Sequence, residues 1–401
     1  MTPRPRRWLS APAAVLLCTL CLTSLLAAED PGGGAWTTIF HGYAFLNSNR
    51  QSGPVAQREF ESQNHFMVIS SRGWGGGKLS LLGTFTLEPA TVPDAGAPEL
   101  FQRGETFNDV LLVDRQHPHD LIAQLAAAWE NSISAASSFR LYIAPRGEPA
   151  LGPDAYPHRL SSSMNPTAPL AHHNQDSTHI SADVITGGVT LSRFRMEGSV
   201  FHGRESDQNR WDLEQGRLDS YSGRVTFHTP KSFSFQISSA FRTHPEDLEE
   251  GDQTRTTASA TYNRTFKGGF IAATAIVGKN QIPDGKEWGN SIEALWKLRE
   301  KHYLTARFES VDRDLVELIT KQHRPAGVPA QRTLVQAMTL GYARAVPLLK
   351  EAETDLGIDL TAYRFTSQLD AIYGENPVSL HVFLKIAFAW PAAMDHEHMH
   401  H

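Results

Sequence analysis

Over most of its length the chain alternates apolar and polar residues with a period of two. Leu79, Leu81, Phe85 and Leu87 fall on one side of a segment whose other side carries Lys78, Ser80, Thr84, Thr86 and Glu88. The same division recurs with Phe233, Phe235, Ile237 and Phe241 against Ser232, Ser234, Gln236 and Ser238. It returns in Ile292, Ala294, Trp296 and Leu298, and in Leu356, Ile358, Leu360 and Ala362. Successive side chains of a strand point to opposite faces. The period therefore predicts strands of about ten residues with one apolar and one polar face.

The connections separate a soluble sandwich from a barrel. Tight links are expected at 72–77, 130–135, 186–188, 229–231, 266–269, 299–302 and 346–352. Long ones are expected at 48–63, 89–119, 144–177, 203–217, 243–254, 280–287, 311–331 and 366–377. The two kinds interleave. That predicts an all-β fold, a closed antiparallel transmembrane β-barrel of about 16 strands (roughly 14–18), with short periplasmic turns and long extracellular loops. A Greek-key sandwich has no reason to alternate its connections this way. An even strand count puts both ends of the wall on the periplasmic side. Val382, Leu384, Ile386, Phe388 and Trp390 occupy alternate positions of the last strand, which ends on an aromatic. This resembles the closing strand by which outer-membrane barrels are recognised by the barrel assembly machinery, although here the chain continues past Trp390.

The N-terminus sets the address. Arg4, Arg6 and Arg7 precede an apolar stretch over 11–26, and Ala27 and Ala28 precede Glu29. This is the pattern of a secretory signal peptide. The expected organisation is a signal peptide at 1–28, a barrel at 29–390 and a periplasmic tail at 391–401 that is rich in His and Met. The expected location is the outer membrane of a Gram-negative bacterium, with outer-membrane lipid as partner. Both cysteines, Cys18 and Cys21, lie inside the signal. The mature chain then has no thiol, which excludes disulfide scaffolds, Cys-zinc sites and thiol catalysis. No later apolar run is long enough for a membrane-spanning helix. The net charge of -6 is spread along the chain and gives no reason to expect nucleic acid as a partner.

The polar face of the strands carries Asp183, Arg193, Arg195, Glu197, Arg224, Glu293, Lys297, Arg307, Glu309, Asp359 and Lys385. Charges at this density are costly against lipid and natural in a wet lumen. A barrel this wide is not filled by its wall side chains alone. It conducts, or its loops obstruct it.

Two long loops end in histidines. One finishes at His117, Pro118, His119 and Asp120; the other at His172, His173, Asp176 and His179. Their following strands have one strand between them, so the loops rejoin the wall about 10 Å apart at the usual spacing. His202 falls opposite His173 across the next hairpin. Imidazole with carboxylate is the ligand mix for zinc, copper or nickel. The same residues also serve as turn formers, and an Arg/His/Asp network can simply pin a loop to the wall. In the tail, Met394, His396, His398, Met399, His400 and His401 mix thioether with imidazole, which suits copper. His179-Ile180-Ser181 resembles the His-x-Ser pair of the outer-membrane phospholipases. In those enzymes the pair faces lipid. Here Ile180, Ala182 and Val184 make the apolar face and turn the pair inward, and no Asn orienter follows at a convincing place. A nucleophile needs base and orienter in reach, so an enzyme is not expected and no catalytic residue is assigned.

The runs 114–120 and 172–179, Gly203-Arg204-Glu205 with Arg210-Trp211-Asp212, and 218–224 together resemble a group of bacterial outer-membrane β-barrels associated with copper and heavy-metal efflux systems. The resemblance covers the middle of the chain, from Asp114 to Arg224, and implies a link to metal resistance. The expected function is a porin-like channel for small solutes or metal ions, with copper or zinc as candidate ions and no cofactor required. The alternatives are a metal-binding barrel with a loop-obstructed lumen, acting by sequestration, and a lipid-active hydrolase. The sequence leaves the solute and the oligomeric state open.

Overall fold

The computed structural model describes residues 35–248, 251–325 and 328–390, with the backbone only for Trp390. The expected signal peptide and the tail carrying Met394, His396, His398, Met399, His400 and His401 lie outside the described residues. In chain order the strands are β1 (Thr37–Gln51), β2 (Arg58–Glu61), β3 (Asn64–Trp74), β4 (Gly77–Phe85), β5 (Ala97–Phe107) and β6 (Val110–Gln116). They continue with β7 (Ile122–Ser134), β8 (Ser137–Gly147), β9 (Ser181–Leu191), β10 (Phe194–His202), β11 (Ser220–His228) and β12 (Phe233–Arg242). The last are β13 (Gln253–Phe266), β14 (Gly269–Ile282), β15 (Gly285–Leu298), β16 (His302–Asp314), β17 (Arg332–Ala345), β18 (Glu353–Arg364) and β19 (Val378–Trp390).

All but β5 and β6 belong to one antiparallel sheet. β2 and β3 both pair with β1 and make one interrupted wall strand, so the wall has sixteen strands. It closes where β1 meets β19, from Phe40 opposite Trp390 to Gln51 opposite Ser379. Both ends of the wall therefore lie at one rim. Closure removes the unpaired edges of the sheet and satisfies every ladder, which is what a strand-built membrane span requires.

The alternation sorts as expected. Phe233, Phe235, Ile237, Ile292, Trp296, Leu356, Ile358 and Leu360 are exposed on the outer surface, while Ser238, Thr257, Thr274, Glu293 and Asp359 are buried inside. Shifting a strand by one residue would exchange the two faces. In bilayer-embedded protein, a cysteine replacing Arg195 should therefore react with a water-soluble thiol reagent faster than one replacing Ile358. The reverse order would mean inverted faces.

Two links differ from expectation. Residues 186–188 lie inside β9, where Gly187 and Gly188 pair with Gly198 and Glu197, and the turn falls at Ser192 and Arg193. Ser192 takes φ +57 there, which suits a tight hairpin turn. The glycine pair is a place of thin packing within the strand, not a break in it. Arg193 is thereby an exposed turn residue and not a lumen one. Along β9 Val184 is buried while Ile185 and Val189 are exposed, so the inward face is opposite to the one expected there. Asp183 accepts from the backbone N–H of Gly216 in the 203–219 loop instead of lining the lumen. The second difference is at 280–287, where the pairing of β14 with β15 runs to Ile282 opposite Gly285 and leaves only Pro283 and Asp284 in the turn.

The two longest loops fold inward. Residues 86–121 are not without secondary structure: they carry the β5–β6 hairpin, whose register shifts between Pro98 and Arg103 and again before Thr106. Those irregularities, with positive φ at Phe101 and Glu105, erase the period that would have announced strands. Leu100 and Phe101 of the hairpin join Leu170 and Ala171 of the 148–180 loop, Val311 and Leu315, and Leu369 and Tyr373 in one buried apolar cluster at the long-loop end of the barrel. Burying such side chains stabilises by roughly 1.5–3 kcal/mol each before entropy is counted.

The 148–180 loop crosses the lumen to the far wall. Arg159 Nε donates to Glu293 on β15 at 2.7 Å, and Ser161 Oγ reaches Thr274 at 2.8 Å and Glu293 at 2.7 Å. Asn165 donates to Asp359 on β18 at 3.0 Å, Arg307 on β16 to the carbonyl of Thr167 at 3.1 Å, and Lys385 on β19 to the carbonyl of Ser163 at 2.6 Å. Glu309 accepts from the backbone N–H of Ala171 at 3.2 Å. Thus the lumen charges expected at Glu293, Arg307, Glu309, Asp359 and Lys385 do point inward, and they hold the loop. On the short-turn side of it two vestibules remain, of about 200 and 480 Å³. Arg195, Glu197 and Arg224 line the first, Lys297 and Lys385 the second.

Candidate functional site

His117 and His119 follow β6 and precede β7; His172, His173 and His179 end the loop that precedes β9. β7 and β9 both pair with β8, so the two loops end side by side. Their five imidazoles meet. Ring centroids are separated by 5.9 Å for His117 and His119, 5.5 Å for His117 and His173, and 5.2 Å for His119 and His179. His172 lies 5.2 Å from His173 and 5.3 Å from His179. Tyr156 of the 148–180 loop closes the group at 5.2 Å from His172 and 6.1 Å from His119. All five histidines are between 1% and 8% exposed, so the cluster sits within the plug and not on an open rim.

Four of the rings are oriented through Nδ1. His119 meets Glu88 at 2.9 Å, His172 meets Asp176 at 2.6 Å, His179 meets the carbonyl of Asp176 at 2.9 Å and His117 the carbonyl of Pro118 at 3.2 Å. Each partner is an oxygen acceptor, so Nδ1 carries the hydrogen, and in a neutral ring Nε2 then keeps the lone pair. Nε2 of His119 is buried with no hydrogen-bond partner, and so are both ring nitrogens of His173. Nε2 of His117 is 3.1 Å from Glu105 but out of line for a hydrogen bond with it. The His173 ring lies flat over Gly104, where a Cβ would stand 2.2 Å from its Cε1; only glycine fits beneath it.

The electrostatics follow from burial. Desolvation holds the rings of His117, His173 and His179 well below the usual histidine range, helped by neighbouring cations and imidazoles. Burial would do the same to His119, but the Glu88 carboxylate outweighs it and raises that ring. Burial alone would raise Asp176, yet Arg159 and His172 pull its carboxyl far down. Asp176 thus serves as an anchor for Arg159, His172 and His179 together.

The other expected ligands are placed differently. Asp120 faces Arg146 at 3.1 Å and Arg210 at 3.2 Å, and Arg210 also pairs with Glu105. Two guanidiniums claim its carboxylate. His202 stands apart, its Nδ1 donating to the carbonyl of Arg217 at 3.1 Å, because β10 ends against the 203–219 loop and not against the plug. No three ring nitrogens of the five-histidine group come within 4.8 Å of one another; among the described residues the one group that tight is His173 with Glu205 and Glu246. Glu88, Glu105, Tyr156, Arg159, Glu205 and Glu246 were not singled out as site residues from the sequence. No local signal marks them, because each acts through a partner distant in the chain. Ser181 Oγ donates to the carbonyl of Thr178 at 2.9 Å, and His179 uses Nδ1 on the Asp176 carbonyl. The pair does not form a hydrogen-bonded nucleophile and base.

No family model matches this chain, and no curated protein matches it. Solved structures do. An anion-selective porin from Comamonas acidovorans is 12% identical, covering 88% of this chain and 100% of that one with a TM-score of 0.55. OmpF of Salmonella typhi, in complex with daunomycin, is 8% identical over 89% of this chain and 98% of that one, also with a TM-score of 0.55. OmpT of Vibrio cholerae, an outer-membrane protein, is 8% identical over 90% and 100%, with a TM-score of 0.50. At these identities the likeness is one of fold. The chain has the sixteen-stranded barrel architecture of outer-membrane porins.

Proposed function

We propose that this protein is an outer-membrane channel of narrow bore for small hydrophilic solutes or ions, its passage set by its own loops. One observation carries the reading: the 148–180 loop is fixed across the lumen by side chains of four wall strands, and charged vestibules lie beyond it. A lumen intended only to be filled would gain more from apolar packing than from buried charge. The porin architecture supports the location and the direction of the wall. Planar-bilayer recording of the refolded protein should give discrete steps well below those of a sixteen-stranded pore with a free lumen. Absence of any steps would refute the channel.

The second reading is a metal-binding barrel acting in copper or heavy-metal resistance by sequestration. The five buried imidazoles, four of them held through Nδ1, favour it, since metal-binding histidines are held through their other nitrogen in this way. Copper and zinc titration should then show tight binding that weakens at least about tenfold when His117→Ala and His172→Ala are combined. Equal affinity in the variant would leave these residues a loop-pinning network. The hydrolase alternative has no comparable geometric support.

A further inference from the structure

We infer that the cargo of this channel is a divalent late transition-metal cation of the Zn²⁺ class, passed through the plug along a line of imidazoles. The inference rests on the channel reading and names its substrate. At the outer end His173 stands with Glu205 and Glu246, one donor atom from each lying within 4.8 Å of the others. Both His173 nitrogens are buried without a hydrogen-bond partner, as is Oε2 of Glu205. Leaving such atoms unmatched is costly, and an arriving cation would recover that cost. Arg242 and Arg255 flank this corner, at 3.4 Å from Glu205 and 2.6 Å from the His173 carbonyl, and Arg103 and Arg313 line it too, so the Glu205 and Glu246 carboxylates are set against a ring of cations.

From His173 the rings step to His172 and His117 at 5.2 and 5.5 Å, and from these to His179 and His119. Towards the turn side stands His65 on β3, which shares the second vestibule with His41 and His158. Its ring is 4.6 Å from that of His158, and its Nε2 is again buried without a partner. His158 and His41 line both vestibules. Imidazoles thus stand at the loop side of the plug, within it and along the vestibules on the turn side, in a region otherwise packed with protein.

A metal–imidazole bond is about 2 Å long, so rings about 5 Å apart let an ion bind the next nitrogen as it leaves the last. Conduction needs sites that bind and also release. Inward of the outer triad no closed cage of three ring nitrogens exists in the five-histidine group, which suits transfer better than storage. Imidazole stations favour Zn²⁺ or Cu²⁺ over the oxygen-seeking Ca²⁺.

The test uses the full-length protein in lipid vesicles enclosing a Zn²⁺-responsive dye, with K⁺ current measured on the same preparation in a planar bilayer. Zn²⁺ influx should exceed Ca²⁺ influx at least about tenfold, and the ratio of Zn²⁺ influx to K⁺ current should fall about tenfold in His65→Gln and in His179→Gln. His202→Gln, off the line, should keep the wild-type ratio. Equal Zn²⁺ and Ca²⁺ influx, or an unchanged ratio in both line variants, would overturn the inference while leaving the channel intact. Neither current nor influx in the wild type would instead overturn the channel reading, and the cargo with it. Should one variant fail to give the heat-modifiable mobility of a folded barrel, the other decides.

Discussion

Replacing Arg159 by methionine should raise single-channel conductance at least about threefold and open the 148–180 loop to protease, because breaking a buried ion pair costs about 3–5 kcal/mol. Arg159 is 4% exposed and bridges Asp176 to Glu293, two carboxylates that are themselves almost wholly buried. It also donates to the carbonyl of Asp154 at 2.8 Å, within its own loop. Methionine fills much of the volume but supplies no hydrogen, so both carboxylates would be left charged in a poorly solvated place. The least costly response is for the loop to leave the wall and let water reach them. Asp176 would go with it, and His172 and His179 would lose their common anchor. The conservative Arg159→Lys keeps the charge but cannot span both carboxylates, and should lie between. Recording in planar bilayers and limited proteolysis in detergent check this together. Unchanged conductance with an unchanged cleavage pattern would mean the loop is held by something other than this residue.

The second large effect is expected at Arg313 on β16. Its guanidinium donates to the carbonyls of Phe101 and Leu170, both at 2.7 Å, to the carbonyl of Asp312 at 3.0 Å and to Gln102 Oε1 at 3.3 Å. One wall side chain thereby ties the β5–β6 hairpin to the 148–180 loop. Arg313→Met would strand two buried carbonyls, one on each plug segment, at about 1–3 kcal/mol each, and leave Gln102 Oε1 only the Arg103 N–H. Amides of 97–116 should then exchange with solvent about a hundredfold faster, since local opening governs exchange in such segments. Hydrogen exchange followed by mass spectrometry reads this directly, with the β13–β15 amides as an internal reference. Equal protection of the hairpin in both proteins would show that its apolar cluster, not the arginine, keeps it in place.

The plug is what the sequence concealed. Period two is a local property: it reports which face of a strand meets lipid, and wall strands such as β12, β15 and β18 obey it. Where the local signal was ambiguous the reading slipped by a known mechanism. Gly187 and Gly188 looked like a turn and are strand, because glycine marks thin packing as readily as a bend. The β5–β6 hairpin looked like irregular loop, because its bulges break the alternation. Arg193 was counted with the lumen for the same reason that the turn was misplaced.

The histidine cluster was legible for a different reason. It needs only the order of strands: two loops that rejoin the wall on either side of β8 must end near one another. Topology, and therefore the meeting of His117, His119, His172, His173 and His179, follows from the sequence pattern. Its depth does not. Asp120 does line the same recess as the rings, but Arg146 and Arg210 claim its carboxylate, and His202 is held by its own loop.

The barrel, its closure, the sorting of its faces outside β9 and the convergence of the histidines were determined by the sequence read alone, since each follows from spacing along one strand or from the order of neighbours. The inward folding of the loops was decided only in three dimensions. It depends on Arg103 meeting Glu317, Lys385 meeting the Ser163 carbonyl and Arg313 meeting Phe101, contacts between residues more than two hundred positions apart. A loop's period carries no record of such partners. Whether charged wall residues face water or a loop is settled by the free energy of pairing buried groups, and that sum exists only once the wall has closed around them.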